Sequence, residues 1–125
     1  MAINVTNQNN NLGRRITYDN AATNTVVYNI VGAPCTLYAM MVINTTAGRS
    51  ANYIRFWDAK SGVTSGTTDP DFILGIEANV SELYEFAGGI TFSTGISYTV
   101  VNATSPGTSG TNAPGAVMTM YLITS

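Results

Sequence analysis

The residues whose types could do chemistry are few, and most are acidic. Asp58, Asp69 and Asp71 flank one loop, where three carboxylates could offer Ca²⁺ the hard oxygen ligands it prefers. Their spacing fits no EF-hand loop, and an aspartate on either side of Pro70 is ordinary turn chemistry. No metal site is expected. Glu82 and Glu85 suggest the acid–base pair of a glycosidase, but nothing in the pattern puts them in a cleft, and a polar strand edge accounts for both. Trp57 with Tyr53 offers a stacking surface for a sugar ring, although a tryptophan next to Phe56 reads better as core. Gly88-Gly89 precedes no helix and so cradles no phosphate.

The missing residue types exclude more. The chain has no histidine, which removes Ser-His-Asp and Cys-His catalysis together with most transition-metal sites. Cys35 is the only cysteine, so neither an intrachain disulfide nor a thiolate cage can be built within one chain. It stands among apolar residues and reads as a small buried hydrophobe. These observations point away from an enzyme, and no cofactor is expected.

Charge narrows the partners. Charged residues make up 10% of the 125, well below the usual quarter or so, and the net charge is −2. The five basic residues (Arg14, Arg15, Arg49, Arg55, Lys60) are dispersed, so no basic field exists for a phosphate backbone and nucleic-acid binding is not expected. The longest apolar run, Leu37 to Ile43, is far short of the roughly 20 residues that span a bilayer, and the N-terminus lacks the pattern of a secretory signal. A chain made in the cytoplasm and not inserted in a membrane is the expectation. The four Asn-x-Ser/Thr triplets read as chance in a chain so rich in Asn and Thr.

Along the chain the hydrophobic period is two almost everywhere. Residues 1–12 form an Asn-rich arm in which Ile3 and Val5 suit a short edge strand, and residues 13–125 make one domain. Strands are expected over Arg14–Tyr18, closed by Asp19-Asn20, and over Asn24–Val31, closed by Gly32-Ala-Pro34. Tyr53–Lys60 and Pro70–Ile76 alternate clearly, with Ile54, Phe56, Phe72 and Leu74 as core. Ala78–Phe86 fits a strand or a helical turn. The segment Phe86–Val101 supplies two strands with a bend at Gly95. Eight or nine short strands with regular turn signals predict an all-β fold, an antiparallel β-sandwich of jelly-roll type, with an immunoglobulin-like Greek key as the competing topology.

Two strands break the one-face rule. In Cys35–Asn44, Leu37, Ala39, Met41 and Ile43 alternate with Tyr38, Met40 and Val42, so both faces are apolar; Ala116–Thr124 repeats this with Val117, Tyr121 and Ile123 against Met118, Met120 and Leu122. A strand apolar on both faces must be covered on both. With no amphipathic helix to do this, the second cover is expected from another copy or another protein. Leu37, Tyr38, Met40, Met41, Met118, Met120 and Leu122 are therefore the candidate assembly residues. Two polar loops also share the pattern Thr-Ser-Gly-Thr-x-x-Pro, starting at Thr64 and Thr108. Thr64, Ser65, Gly66, Thr108, Ser109 and Gly110 are candidate contact residues, set against the ordinary use of Gly, Ser and Thr in exposed tips.

The stretch Tyr53-Ile-Arg-Phe-Trp-Asp-Ala-Lys60, a loop ending near Pro70, and Gly89-Ile-Thr-Phe-Ser-Thr-Gly-Ile-Ser-Tyr98 resemble small structural proteins of tailed bacteriophages. Those carry an aliphatic-Lys-aliphatic-Tyr-Asp-Lys-Ala stretch, a Gly/Thr/Pro loop, and Gly-Leu-x-Phe-x-x-Gly-Ile-x-Tyr. Here Arg55 stands for the Lys, Trp57 for the Tyr, and the Ala59-Lys60 order is reversed. The resemblance covers residues 53–100 best. It implies a virion component made in the bacterial host cytoplasm, in the manner of a capsid decoration (cement) protein. Such a protein would self-associate, as a trimer, and dock on the major capsid protein. It implies no catalytic residues. The alternative expectation is a tail-fibre or lectin-like domain that recognises host glycan through Trp57, the tyrosines and the Thr/Asn loops.

Overall fold

The computed structural model describes residues 14–45, 51–104 and 109–125, together with the backbone of 3–6. All its regular structure is β: β1 (Ile3–Thr6), β2 (Arg15–Ala22), β3 (Cys35–Asn44), β4 (Asn52–Asp58), β5 (Phe72–Ile76), β6 (Val80–Phe92), β7 (Ile96–Asn102) and β8 (Met118–Thr124). They form an antiparallel five-stranded sheet, ordered β1-β2-β8-β3-β6, and a three-stranded sheet, ordered β5-β4-β7. Val27 bridges Tyr98 on the free side of β7. Taken with that bridge, the chain crosses between sheets at every connection from β2 to β8 except the β4–β5 hairpin. This is the jelly-roll path, with one strand reduced to a single bridge.

That reduced strand is the expected strand over 24–31. Its β-branched residues favour a pleat, but Asn29 has φ 49° and Gly32 φ 79°, which turns the chain away from the ladder. The segment keeps backbone hydrogen bonds to β7 at Thr23, Val27 and Ile30, while the Asn29 N–H bonds to the Ser97 hydroxyl and the Tyr28 hydroxyl to the Val63 carbonyl, so side-chain partners interrupt the ladder without removing its neighbour. Asp19-Asn20 does not end β2 either. The strand continues to Ala22 through a register shift, and Asp19 turns into the core. Residues 80–86 belong to β6 as strand, and 78–79 form the turn that leads into it.

Inward residues from both sheets form one core: Leu37, Met40 and Val42 from β3, Met118, Met120 and Leu122 from β8, Ile54 and Phe56 from β4, and Ile96, Tyr98 and Val100 from β7. Phe56 stacks on Phe72 with centroids 4.5 Å apart. Cys35 lies in this core with its thiol pKa raised by burial, as its neighbours predicted. One polar pair crosses it, in which the Tyr98 hydroxyl donates to Asp19 Oδ2 at 2.5 Å while Oδ1 accepts the Ala21 N–H.

β3 contains the local event that decides which residues face out. Its pairing with both β6 and β8 slips between Leu37 and Ala39. On β6, Glu85 pairs with Ala39 and Ile90 with Leu37, so residues 86–89 bulge against one residue of β3. Gly88 and Gly89 have φ of 77° and 79°, which side chains rarely adopt. The slip changes the phase of β3, so Leu37 and Met40 both point inward and Tyr38 and Ala39 both point outward.

Candidate functional site

Five of the seven candidate assembly residues are not on the surface: the slip turns both Leu37 and Met40 inward, and Met118, Met120 and Leu122 lie on the inner face of the regularly alternating β8. Leu37, Met40, Met118, Met120 and Leu122 are fully buried between the sheets. Tyr38 and Met41 do face outward, and other residues join them. The ladder pairs Tyr18 with Tyr121, Tyr121 with Met41, and Met41 with Leu83, giving one row across β2, β8, β3 and β6. A parallel row runs Ile16, Ile123, Ala39 and Glu85. The Tyr18 and Tyr121 rings lie 4.8 Å apart. At one end of the face the Arg14 guanidinium lies 3.3 Å from the Tyr38 ring centroid, a cation–π contact.

None of the described strands lies over this face. Tyr18, Tyr121, Met41 and Ile43 are half-buried, and Leu83, on the edge strand, is 57% exposed. With strands about 4.8 Å apart and same-face residues about 6.8 Å apart along each strand, the apolar part covers on the order of 300 Å². A standard interface takes roughly 800 Å² per partner, so this area suits the centre of an interface that has a polar rim. Ile16, Tyr18, Leu83, Tyr121 and Ile123 were not among the candidates; period-two alternation within Arg15–Ala22, Val80–Glu85 and Met118–Thr124 was the available signal.

The outer face of the three-stranded sheet is the reverse case. Arg55 and Trp57 point outward from β4, yet Arg55 is fully buried and Trp57 is 2% exposed. The two Thr-Ser-Gly-Thr loops lie over them. Arg55 Nη1 donates to the Gly110 carbonyl at 2.6 Å, and the Trp57 indole N–H donates to the Thr68 carbonyl at 3.1 Å. The loops also touch each other. A Cβ on Gly66 would lie 2.7 Å from the Thr111 methyl and 3.3 Å from the Ser109 carbonyl oxygen, so only a glycine allows the approach. Of the contact-loop residues, Thr64 and Ser109 are exposed, Ser65, Gly66 and Gly110 are half-buried, and Thr108 lies outside the described residues. The similar loops do meet, and they form a cover.

The carboxylates do not converge. Asp58 accepts hydrogen bonds from the Ser93 N–H and hydroxyl and from the Thr94 and Gly95 N–H groups, fixing the β6–β7 turn. Burial pushes its pKa up, but these hydrogen bonds outweigh burial and hold it below the usual aspartate value. Asp71 Oδ2 accepts the Asp58 N–H. Glu82 accepts the Tyr84 hydroxyl on the inner side of β6, while Glu85 pairs beside Ala39 on the outer face. An odd spacing of three along a strand puts the two glutamates on opposite faces. Among the described residues no group of three or more His, Cys, Asp or Glu is placed to hold a metal ion.

Fold and surface together define a jelly-roll β-sandwich with one loop-covered outer face and one open apolar outer face. Comparison of the chain with protein-family models, with curated proteins and with solved structures finds no match in any of the three.

Proposed function

We propose that this chain is a non-enzymatic structural protein of a tailed-phage virion, which self-associates as a trimer and docks on the head shell as a decoration protein. The observation that carries the self-association is the row Tyr18–Tyr121–Met41–Leu83, an apolar stripe across four strands that no described strand covers. Burying it releases ordered water at about 25 cal/mol per Å², and it contains no charge that would have to be desolvated. The virion setting rests on the resemblance of residues 53–100 to tailed-phage structural proteins. The alternative glycan reading loses Trp57, whose ring lies under the 60–70 loop, and keeps only the tyrosines as aromatics.

The test has two arms. Sedimentation of the purified chain should give an oligomer that Met41→Glu reduces to monomer, and the native chain should bind empty capsids. A native monomer that also leaves capsids unbound would overturn the proposal.

A further inference from the structure

The loop-covered face has an opening at one end. Where β4 begins and β5 and β7 end, a cavity of about 290 Å³ is lined by Ala51, Asn52, Tyr53, Gly75 and Glu77, among others, with Ala103 closing one side. Tyr53 pairs across the ladder with Gly75 on β5 and with Val101 on β7. Alternation therefore brings Ala51, Tyr53, Gly75, Glu77 and Ala103 to the same side of the sheet.

Gly75 is the informative residue. It lies inside a strand, and its φ is outside the left-handed region, so its backbone does not require glycine. Glycine in a strand interior costs stability and often marks a place where a ligand or another backbone approaches closely. Among the described residues no backbone lies within 4 Å of the Cβ position. A Cβ here would make only an ordinary contact, 3.4 Å from the edge of the Tyr53 ring. The missing side chain is thus neither a conformational nor a packing necessity, and it leaves space beside an aromatic ring. Ala51 and Ala103 keep the rest of the floor low.

The lining chooses a ligand class. A volume near 300 Å³ is at the small end of ligand pockets and suits one ring-sized unit, not an extended molecule. Tyr53 offers an apolar ring to a C–H face, as aromatics do with one end wet. Glu77 is the one charged side chain among the described lining residues; its carboxylate accepts from hydroxyls and repels anions. We propose that this cavity is a subsite for one neutral pyranose unit, with Tyr53 under the ring and Glu77 accepting from its hydroxyls.

The site is separate from the apolar face of the five-stranded sheet, so its failure leaves the assembly proposal standing. The experiment titrates the full chain with methyl glycosides of neutral hexoses and of N-acetylhexosamines. Sialic acid is the anionic control and tetramethylammonium the cationic one, and amide NMR shifts report binding. At least one neutral glycoside should shift residues 51–53 and 75–77 saturably, with sialic acid silent. Gly75→Val should abolish this while leaving the melting temperature equal or higher, because it fills the space with a good strand former. Tyr53→Ala should abolish it too, and Glu77→Gln should weaken it about tenfold. The proposal is overturned if no neutral glycoside saturates, if only tetramethylammonium binds, or if Gly75→Val binds as well as the native chain.

Discussion

Arg55, Ser97 and Thr99 occupy the outer face of the three-stranded sheet and are buried, while Tyr18, Met41 and Leu83 occupy the outer face of the five-stranded sheet and stay partly or largely open. Residue type alone would assign the two faces the other way round. The difference lies in what covers each. Polar groups taken from water need named partners, and the loops supply them: Gly110 for Arg55, the Ala59 carbonyl for the Ser97 hydroxyl, the Thr23 carbonyl for the Thr99 hydroxyl. An intramolecular cover can be built around such fixed acceptors. An apolar face needs only shape and exclusion of water, which a partner can provide after folding.

If that contrast is right, removing Arg55 should do the largest damage. Arg55→Ala takes a long side chain out of a fully buried site and deletes the donor to Gly110 that ties the 109–114 segment down. Lost packing and a vacated volume put the cost at roughly 2–4 kcal/mol. Denaturant unfolding would measure it, and faster amide exchange at Thr111 and Trp57 would show the cover lifting. A cost below about 1 kcal/mol would mean that the loops hold themselves and that Arg55 is incidental to them.

The next effect concerns a polar group buried by both sheets together. Tyr98→Phe leaves Asp19 Oδ2 in the core without its hydroxyl donor, at a cost of about 1–3 kcal/mol. The pH dependence has a definite sign. Burial, then the hydrogen bond and charge of Asp19, raise the folded-state pKa of Tyr98 above the ordinary value of 10. In the folded state this phenol keeps its proton where the unfolded chain has begun to lose it. The stability it contributes is complete below pH 10 and declines as pH rises beyond that value. The native chain should lose stability above pH 10 more steeply than Tyr98→Phe, whose position 98 no longer titrates. Parallel unfolding curves at pH 9 and 11 would read the difference, and equal slopes would refute it.

How far these faces were legible follows the range of the interactions. Cys35–Asn44 is written in local alternation and β-branched content with both ends read to the residue, while the stretch Pro70–Ile76 gives the end of β5 but starts two residues early. The inward set of β4 and β5 follows from the same signal. The phase of β3 does not, because its bulge against Phe86–Gly89 depends on pairing with a strand some 45 residues away, and an all-apolar strand cannot report a slip. Gly88-Gly89 was the visible trace of the bulge. The strand over 24–31 was overridden by Asn29 and Gly32. Burial of Trp57 was expected, but its cover is the loop 60–70 and not the opposite sheet. That Thr64–Thr67 meets Ser109–Thr111 was hinted at by the repeated pattern, whereas Arg55 beneath them is a contact across 55 residues that no local rule encodes.

A small effect on stability should accompany a clear effect on assembly. Leu83→Ser changes a side chain that is 57% exposed on an edge strand, with its backbone pairing to Met41 untouched. Surface changes of this kind usually stay within about 0.5 kcal/mol, so the monomer should unfold at nearly the native denaturant concentration. At the centre of an interface the same change removes an apolar anchor and adds a hydroxyl to be desolvated, and truncating such a residue commonly costs more than 1 kcal/mol. Sedimentation across a concentration series should show the oligomer dissociating at tenfold or more higher concentration than native. The converse variant belongs on the other face. Thr67→Ser, in the exposed part of the cover, should leave both stability and association alone. If Leu83→Ser associates as the native chain does, the apolar row is ordinary surface, and the contrast between the two faces describes folding without describing assembly.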